Sequence, residues 1–364
     1  MPQRSTFQPR VSKHLQAMRI AAAGYLLLAS APAHAHGQFE IFDVPTAAGT
    51  LAFDINNNDE IVGQWIDANN LTHGFRRDAN GSLTTFDFPG AAETVSFQIN
   101  KAGTIVGYFN HDDGLDHGFV LDSNGNGQAF DGPGNPLSTQ AFCINNKDEA
   151  AGFYIDGSHI VHGFFRDSAG ALTPFDPPGS TETLPADISG KGTVTGAYNS
   201  TFAPAGRALK ALPPGGPTTF HGFVRLKDGT IEEFDPAGSA STRPTAITKE
   251  KVNGKGEEAV AGFYFDGGNV AHGFVRFADG TIETFDPPGS AGTMPTSIDA
   301  KGVVTGSFND GNNTSHGFLR EEDGTITTFD PSGSRLTGPR GINKKGLIVG
   351  GYSDGKFHGF LREP

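Results

Sequence analysis

The chain has one cysteine, Cys143, in 364 residues. No internal disulfide can therefore form, whatever the redox setting. Past residue 35 no stretch approaches eighteen apolar residues, which excludes a membrane-spanning helix there. Basic residues are also scarce: 27 Lys and Arg against 40 Asp and Glu, a net charge of −13. Four of those basic groups (Arg4, Arg10, Lys13, Arg19) fall in residues 1–35, which hold no acid, so the remainder is more acidic still. Nucleic acid and anionic membrane surfaces reward clustered Lys and Arg and are excluded as partners. No Ser-His-Asp order, phosphate loop, HExxH or Cys/His metal cluster occurs. No catalytic residue and no metal ligand set is assigned.

What is abundant is glycine, 51 residues of it, placed with regularity. A unit of about 44 residues recurs seven times. His-Gly-Phe begins at His73, His117, His162, His221, His272, His316 and His358. From its Phe to the Phe of a following Phe-Asp is eleven residues in all six complete cases, as from Phe75 to Phe86. Thirteen residues usually separate that Phe from an Ile, and eight separate the Ile from a Gly, as from Ile55 to Gly63.

Within each unit Phe-x-Ile and Ile-x-Gly-x-aromatic alternate with period two, and Asn-, Asp- and Gly-rich turns divide the runs. Four short strands per unit, with no helical period, predict an all-β fold: a seven-bladed β-propeller of four-stranded blades over residues 36–364. Phe39–Asp43 reads as a fourth strand with no first three, and the last unit, ending at Arg362, lacks a fourth. The N-terminal strand is thus expected to complete the last blade and remove an open sheet edge.

Residues 1–35 read as a secretory signal peptide: a basic segment, the apolar run Ile20–Ala31, then Ala33-His34-Ala35 as an A-x-A cleavage pattern. The expected location is periplasmic or extracellular, and a monomer is the default.

The order His-Gly-Phe, Gly-Thr-Ile, Phe-Asp-x-Pro-Gly, Ile-Asn-x-x-Gly, Ile-Val-Gly resembles the HAF extracellular repeat family over Phe39 to Arg362. The chain departs from it with Gly at the family's Ala, and with Phe-Asp-Pro-Pro-Gly where the family more often has an Asp-Leu-Gly turn. The resemblance implies a secreted, β-rich repeat protein and carries no catalytic residues.

Seven histidines in register start seven different blades, so they lie too far apart to share a metal. An intra-blade hydrogen bond, to the Phe-Asp carboxylate or a backbone group, is the simpler reading. The aromatic two residues after each second-strand Gly, Trp65 among them, is expected to pack between blades, the Gly giving clearance for the neighbouring sheet. Asp122-Ser-Asn124-Gly-Asn126 fits half a calcium loop, but a hairpin turn explains it and no cofactor is assigned; calcium is the one ion considered. Asp67, Asp112, Asp156, Asp266, Asp310 and Asp354 recur in one set of turns and should make one face acidic.

Function is sought where the repeat breaks. Two insertions stand out: Ser200–Thr219, holding Arg207, and a Lys/Glu-rich one between Ile247 and Gly262. Asp54 and Asp187 immediately precede first-strand Ile residues, and Arg340 stands where other units have Phe, Ala or Thr. The expected ligand-binding residues are Asp54, Trp65, Asp187, Arg207 and Arg340, displayed on one face around the channel mouth. There Arg340 would hold an anionic or hydroxyl-rich group, Trp65 would offer a stacking plane, and Ser200–Thr219 would form a partial lid. The preferred reading is a secreted, non-catalytic binding module for an extracellular glycan or protein. An extracellular propeller lyase or hydrolase acting on polysaccharide, and a structural surface protein, are the alternatives.

Overall fold

The computed structural model describes residues 37–111, 113–200, 219–249, 258–312 and 314–364. Signal-like residues 1–35, most of the Ser200–Thr219 insertion with Arg207, and Asp112 fall outside these. The described residues form 28 strands, numbered β1 to β28 in chain order, and no helix. They pair in consecutive antiparallel fours, as in β2 (Gly49–Ile55), β3 (Ile61–Ile66), β4 (Thr72–Arg77) and β5 (Leu83–Phe86). The first strands of the later sets are β6 (Glu93–Ile99), β10 (Ser138–Ile144), β14 (Ser180–Ile188), β18 (Ser241–Ile247), β22 (Gly292–Ile298) and β26 (Leu336–Ile342).

The final set is completed from the other end of the chain. β1 (Phe39–Phe42) pairs antiparallel with β28 (Phe357–Arg362), Phe39 opposite Arg362 and Phe42 opposite Gly359. First strands contact one another in succession, and β26 contacts β2. Hydrogen bonds follow the same path: Asn56 Nδ2 donates to the Asn100 carbonyl at 2.9 Å, Asn100 to that of Asn145 at 3.1 Å, and Asn343 to that of Asn56 at 3.1 Å.

Each set is built around its His-Gly-Phe. The seven Phe rings, Phe75 to Phe360, are fully buried. The Gly beside each lies under the ring of the set's last strand; a Cβ on Gly74 would fall 2.6 Å from Phe86 Cε2, and one on Gly317 2.5 Å from Phe329 Cε2. That contact explains why Gly stands at this position: a methyl group would displace a packed ring.

The histidines are held within their own sets. In every set His Nδ1 donates to the Phe-Asp carboxylate, from 2.7 Å (His272 to Asp286) to 2.9 Å (His73 to Asp87), the last pairing joining His358 to Asp43 of β1. In several sets a Thr hydroxyl donates to the same carboxylate, as from Thr183 to Asp176 at 2.6 Å. The aromatic two residues after each second-strand Gly packs on two sides: against the His of its own set, as with Trp65 and His73 at 4.5 Å between centroids, and against the neighbouring set as expected, as with Phe109 stacked on Phe88 at 4.2 Å. At His272 the hydrogen bond to Asp286 raises the imidazole pKa against the opposing effect of burial, and the charges of Asp286 and Asp266 add to the rise. A raised folded-state value stabilises the fold most below the unfolded histidine's pKa, and the contribution is lost as pH climbs through the folded one. His272→Ala should therefore cost about 1–3 kcal/mol, and urea titrations should show a larger deficit at pH 5.5 than at pH 8.

Seams between sets carry a device that the spacing analysis passed over. An Arg two residues after the His-Gly-Phe ring places its guanidinium over the last-strand Phe of the preceding set. Arg77 lies 5.1 Å from the Phe42 centroid, Arg320 5.1 Å from that of Phe285 and Arg362 4.7 Å from that of Phe329. The signal was present as His-Gly-Phe-x-Arg, repeated in six sets.

Candidate functional site

The first strand of every set slips register at one shared place, and β14 slips a second time nearer its start, between Ser180 and Glu182. In β2 the shift falls between Ala52 and Asp54; in β26 it falls between Pro339 and Gly341. The other five first strands shift likewise. Each shift is a β-bulge with one extra residue, and a bulge re-aims the side chain it carries. The second-strand Gly sits opposite: a Cβ on Gly63 would lie 2.0 Å from the Leu51 carbonyl oxygen. Its clearance is therefore for the bulged backbone of its own sheet, not for the neighbouring sheet that the sequence suggested.

The seven bulged residues all line one cavity of about 780 Å³ between the first strands, within the size range of small-molecule sites. They are unequal. Phe53, Phe97 and Phe142 form a continuous wall, Phe97 and Phe142 stacked at 4.5 Å and 17°, Phe53 and Phe97 tilted at 6.0 Å. Ala186, Thr245 and Thr296 are short, and the space they leave reaches Phe263, Phe265 and Arg243. Arg340 completes the series, its guanidinium 5.8 Å from the Phe53 centroid. Among the described residues no carboxylate pairs with Arg340, and no Asp or Glu lines this cavity. Surrounding protein lowers the Arg340 pKa, yet the side chain is open to solvent within the cavity.

A second cavity of about 130 Å³ continues past Phe53, Phe97 and Arg340 and is polar. It holds Asp54, Gln98, Asp187 and Lys249. These residues tie each set to another: the amide of Ile99 donates to Asp54 at 3.1 Å, that of Ile144 to Gln98 Oε1 at 2.7 Å and that of Ile247 to Asp187 at 2.9 Å. Lys249, from the described start of the second insertion, ion-pairs with Asp187 and donates to Gln98 Oε1 at 3.1 Å and the Ile188 carbonyl at 3.0 Å. Sequence spacing gave no reason to single out Lys249, because its contacts are to residues over sixty positions away.

Burial raises the Asp54 carboxyl to about 7. The Ile99 amide, Lys249 and the Ile55 amide oppose the rise, and the charge of Asp187 adds to it. A carboxyl raised in the folded state binds more protons there than when unfolded, so stability falls as pH rises from about 4 to about 7. Asp54→Asn keeps an acceptor for Ile99 and removes that proton linkage. It should stabilise the protein at pH 8 by on the order of 1–2 kcal/mol, less than a fully buried carboxyl would give, and flatten the pH dependence of its melting temperature.

The residues expected to share one site divide into three groups. Asp54, Asp187 and Arg340 line the cavities. Trp65 does not: it pairs with Thr50 near the start of β2, whereas Asp54 pairs with Val62 near its end, and its indole stacks on His73 with Nε1 buried and unpartnered. Arg207 lies outside the described residues. At the calcium-like turn, Asp122 Oδ1 accepts the amides of Asn124 and Asn126 at 2.9 and 2.8 Å, and Oδ2 accepts the Asn126 side chain. Its carboxylate is thus engaged with its own turn. Among the described residues no group of three or more His, Cys, Asp or Glu is placed to hold a metal. Burial pushes the Cys143 thiol pKa up, which makes it a poor nucleophile.

No family model matches the chain, and no curated protein matches it. Solved structures do. Virginiamycin B lyase from Staphylococcus aureus matches with TM-score 0.59 at 12% identity, over 90% of this chain and 99% of that one. The β-propeller domain of the Trilobed protease from Pyrococcus furiosus matches with TM-score 0.58 at 10% identity, over 86% and 95%. The fold is a β-propeller. At such identities the likeness speaks for the fold alone. In a propeller, strands run outward from a central axis, and the two cavities lie along the innermost strand of every set.

Proposed function

We propose that this chain is an exported, seven-bladed, closed β-propeller of the HAF-repeat type, and that it binds a ligand in its central cavity without transforming it. Closure is supported by the pairing of β1 with β28 and by the contact of β26 with β2. The Pyrococcus propeller is described as having an open velcro topology; here the two chain ends share a sheet. Export rests on the basic, apolar and A-x-A segments of residues 1–35, and cell fractionation with N-terminal sequencing of the mature protein tests it.

The observation that carries binding is the inequality of the seven bulged residues. A purely structural ring has no need of three Phe on one side, small residues on the other and an uncompensated Arg340 between them. Screening the purified chain against glycans, peptides and small molecules, with and without calcium, should give a ligand whose affinity drops in Arg340→Ala while the melting temperature holds. A ligand bound equally well by that variant places binding elsewhere. One observation favours the enzymatic alternative: Asp54 is poised near neutrality beside Asp187 and Lys249. Turnover of a polysaccharide that disappears in Asp54→Asn would establish that reading instead.

A further inference from the structure

We propose that the wide cavity takes a planar aromatic anion, its rings stacked on the Phe53–Phe97–Phe142 wall and its anionic group on Arg340. The inference rests on the binding reading above and names the class of ligand. Three features of the cavity point the same way.

The first is the wall. Phe97 and Phe142 lie 17° from parallel, and Phe153 extends the surface at 5.5 Å from Phe142. Such a surface matches a flat ring system in offset stacking. Across from it, Thr245 and Thr296 leave the depth that a ring system needs, and Ala186 leaves space beside Phe142.

The second is charge. The chain carries −13 overall, yet the described residues that line the wide cavity include Arg340 and Arg243 and no acid. Arg243 is already engaged, its guanidinium over the Phe220 ring and the charge of Glu182 acting on it. Among the described residues Arg340 has only Phe53, at the end of the aromatic wall, 5.8 Å away. A guanidinium that no described carboxylate pairs, facing solvent inside an aromatic cavity, is completed by an anionic group whose oxygens accept from its N–H donors.

The third is what the cavity lacks. Sugars need acceptors and donors beside the stacking ring, usually Asp, Glu, Asn or Gln. Among the described residues none of these lines the wide cavity. The two Thr hydroxyls present donate to backbone carbonyls, Thr245 to Pro295 at 3.0 Å and Thr296 to Pro339 at 2.9 Å. Sugar hydroxyls would go largely unpaired, and unpaired polar groups in a desolvated site weaken binding. A cationic peptide would meet two guanidinium groups.

The test uses two fluorescent probes that differ in charge: 8-anilino-1-naphthalenesulfonate and its uncharged counterpart, N-phenyl-1-naphthylamine. The full chain should bind the sulfonate at one site per chain and the neutral probe about tenfold more weakly. Arg340→Ala should abolish that preference by weakening the sulfonate alone. Ala186→Trp, which fills the cavity beside the Phe142 end of the wall, should abolish both. Circular dichroism melts keep the comparison to folded protein. Equal affinity for the two probes in the unaltered chain, or a preference that survives Arg340→Ala, overturns the assignment to anions while leaving the cavity as a binding site. Failure of both probes to bind, or binding unaffected by Ala186→Trp, overturns the cavity reading itself. Displacement of the sulfonate by a neutral oligosaccharide from both the unaltered chain and Arg340→Ala would return the site to glycans.

Discussion

Deleting Phe39–Asp43 is expected to lower the melting temperature by about 10 °C or more and to send the protein into aggregates. The segment is short, but its contacts belong to both ends of the chain. Phe42 is buried, with the Arg77 guanidinium 5.1 Å from its centroid and the Phe75 ring 6.0 Å away. Asp43 is the carboxylate to which His358 donates, at 2.8 Å. Glu40 ion-pairs with Arg77. Losing one buried Phe costs about 3–5 kcal/mol, and in a chain of this size each kcal/mol is worth about 2 °C. The deletion also bares the whole edge of β28, a template for pairing with another chain. Light scattering and thermal melts of the deletion variant decide the matter. A soluble variant melting within a degree or two of the parent would mean that β1 does not complete the last sheet.

Gly63→Ala should be as damaging as the loss of a strand. The added methyl would lie 2.0 Å from the Leu51 carbonyl oxygen and 2.8 Å from both Ala52 Cα and Phe75 Cε1. Two of these neighbours are backbone at the bulge, so relief requires the bulge to straighten or β3 to withdraw. A straightened β2 would turn Phe53 out of the cavity. The expected loss is more than about 3 kcal/mol, the upper part of the range for overpacked sites. Gly125→Ala is the control. That residue has φ +86° and no atom within 4 Å of its missing Cβ, so the change should cost only about 1 kcal/mol, the strain of an L side chain in the left-handed region. Urea midpoints of the two variants give the comparison. A Gly63→Ala protein no less stable than Gly125→Ala would show that the bulge is not fixed by its glycine.

The sequence alone determined the repeat, the four strands per unit and the His-Gly-Phe core, because local alternation and turn chemistry set all three. That each His bonds within its own unit was legible for the same reason, and of the two partners the sequence allowed, the Phe-Asp carboxylate and a backbone group, the structure gives the carboxylate. The candidate site was legible only in part. Arg340 stood out by breaking a column of Phe, Ala and Thr. Asp54 and Asp187 were found beside the cavity, but Trp65 was wrongly grouped with them. Thr50, its partner, and Asp54 are four residues apart along β2, roughly 13 Å at the rise of an extended strand, so the two side chains serve opposite ends.

The bulge itself left no trace in the spacing. Every unit carries it at the same position, so each interval from Phe to Ile counts the extra residue alike and the bulge does not disturb the repeat. Only the tertiary structure shows that this one residue per unit faces a common cavity, since strand pairing, not residue order, decides which side chain is turned inward. Lys249 belongs to the same class. Its contacts to Gln98 and Asp187 exist because the first strands of separate sets come together around one cavity, and no pattern within 44 residues encodes a neighbour from another repeat.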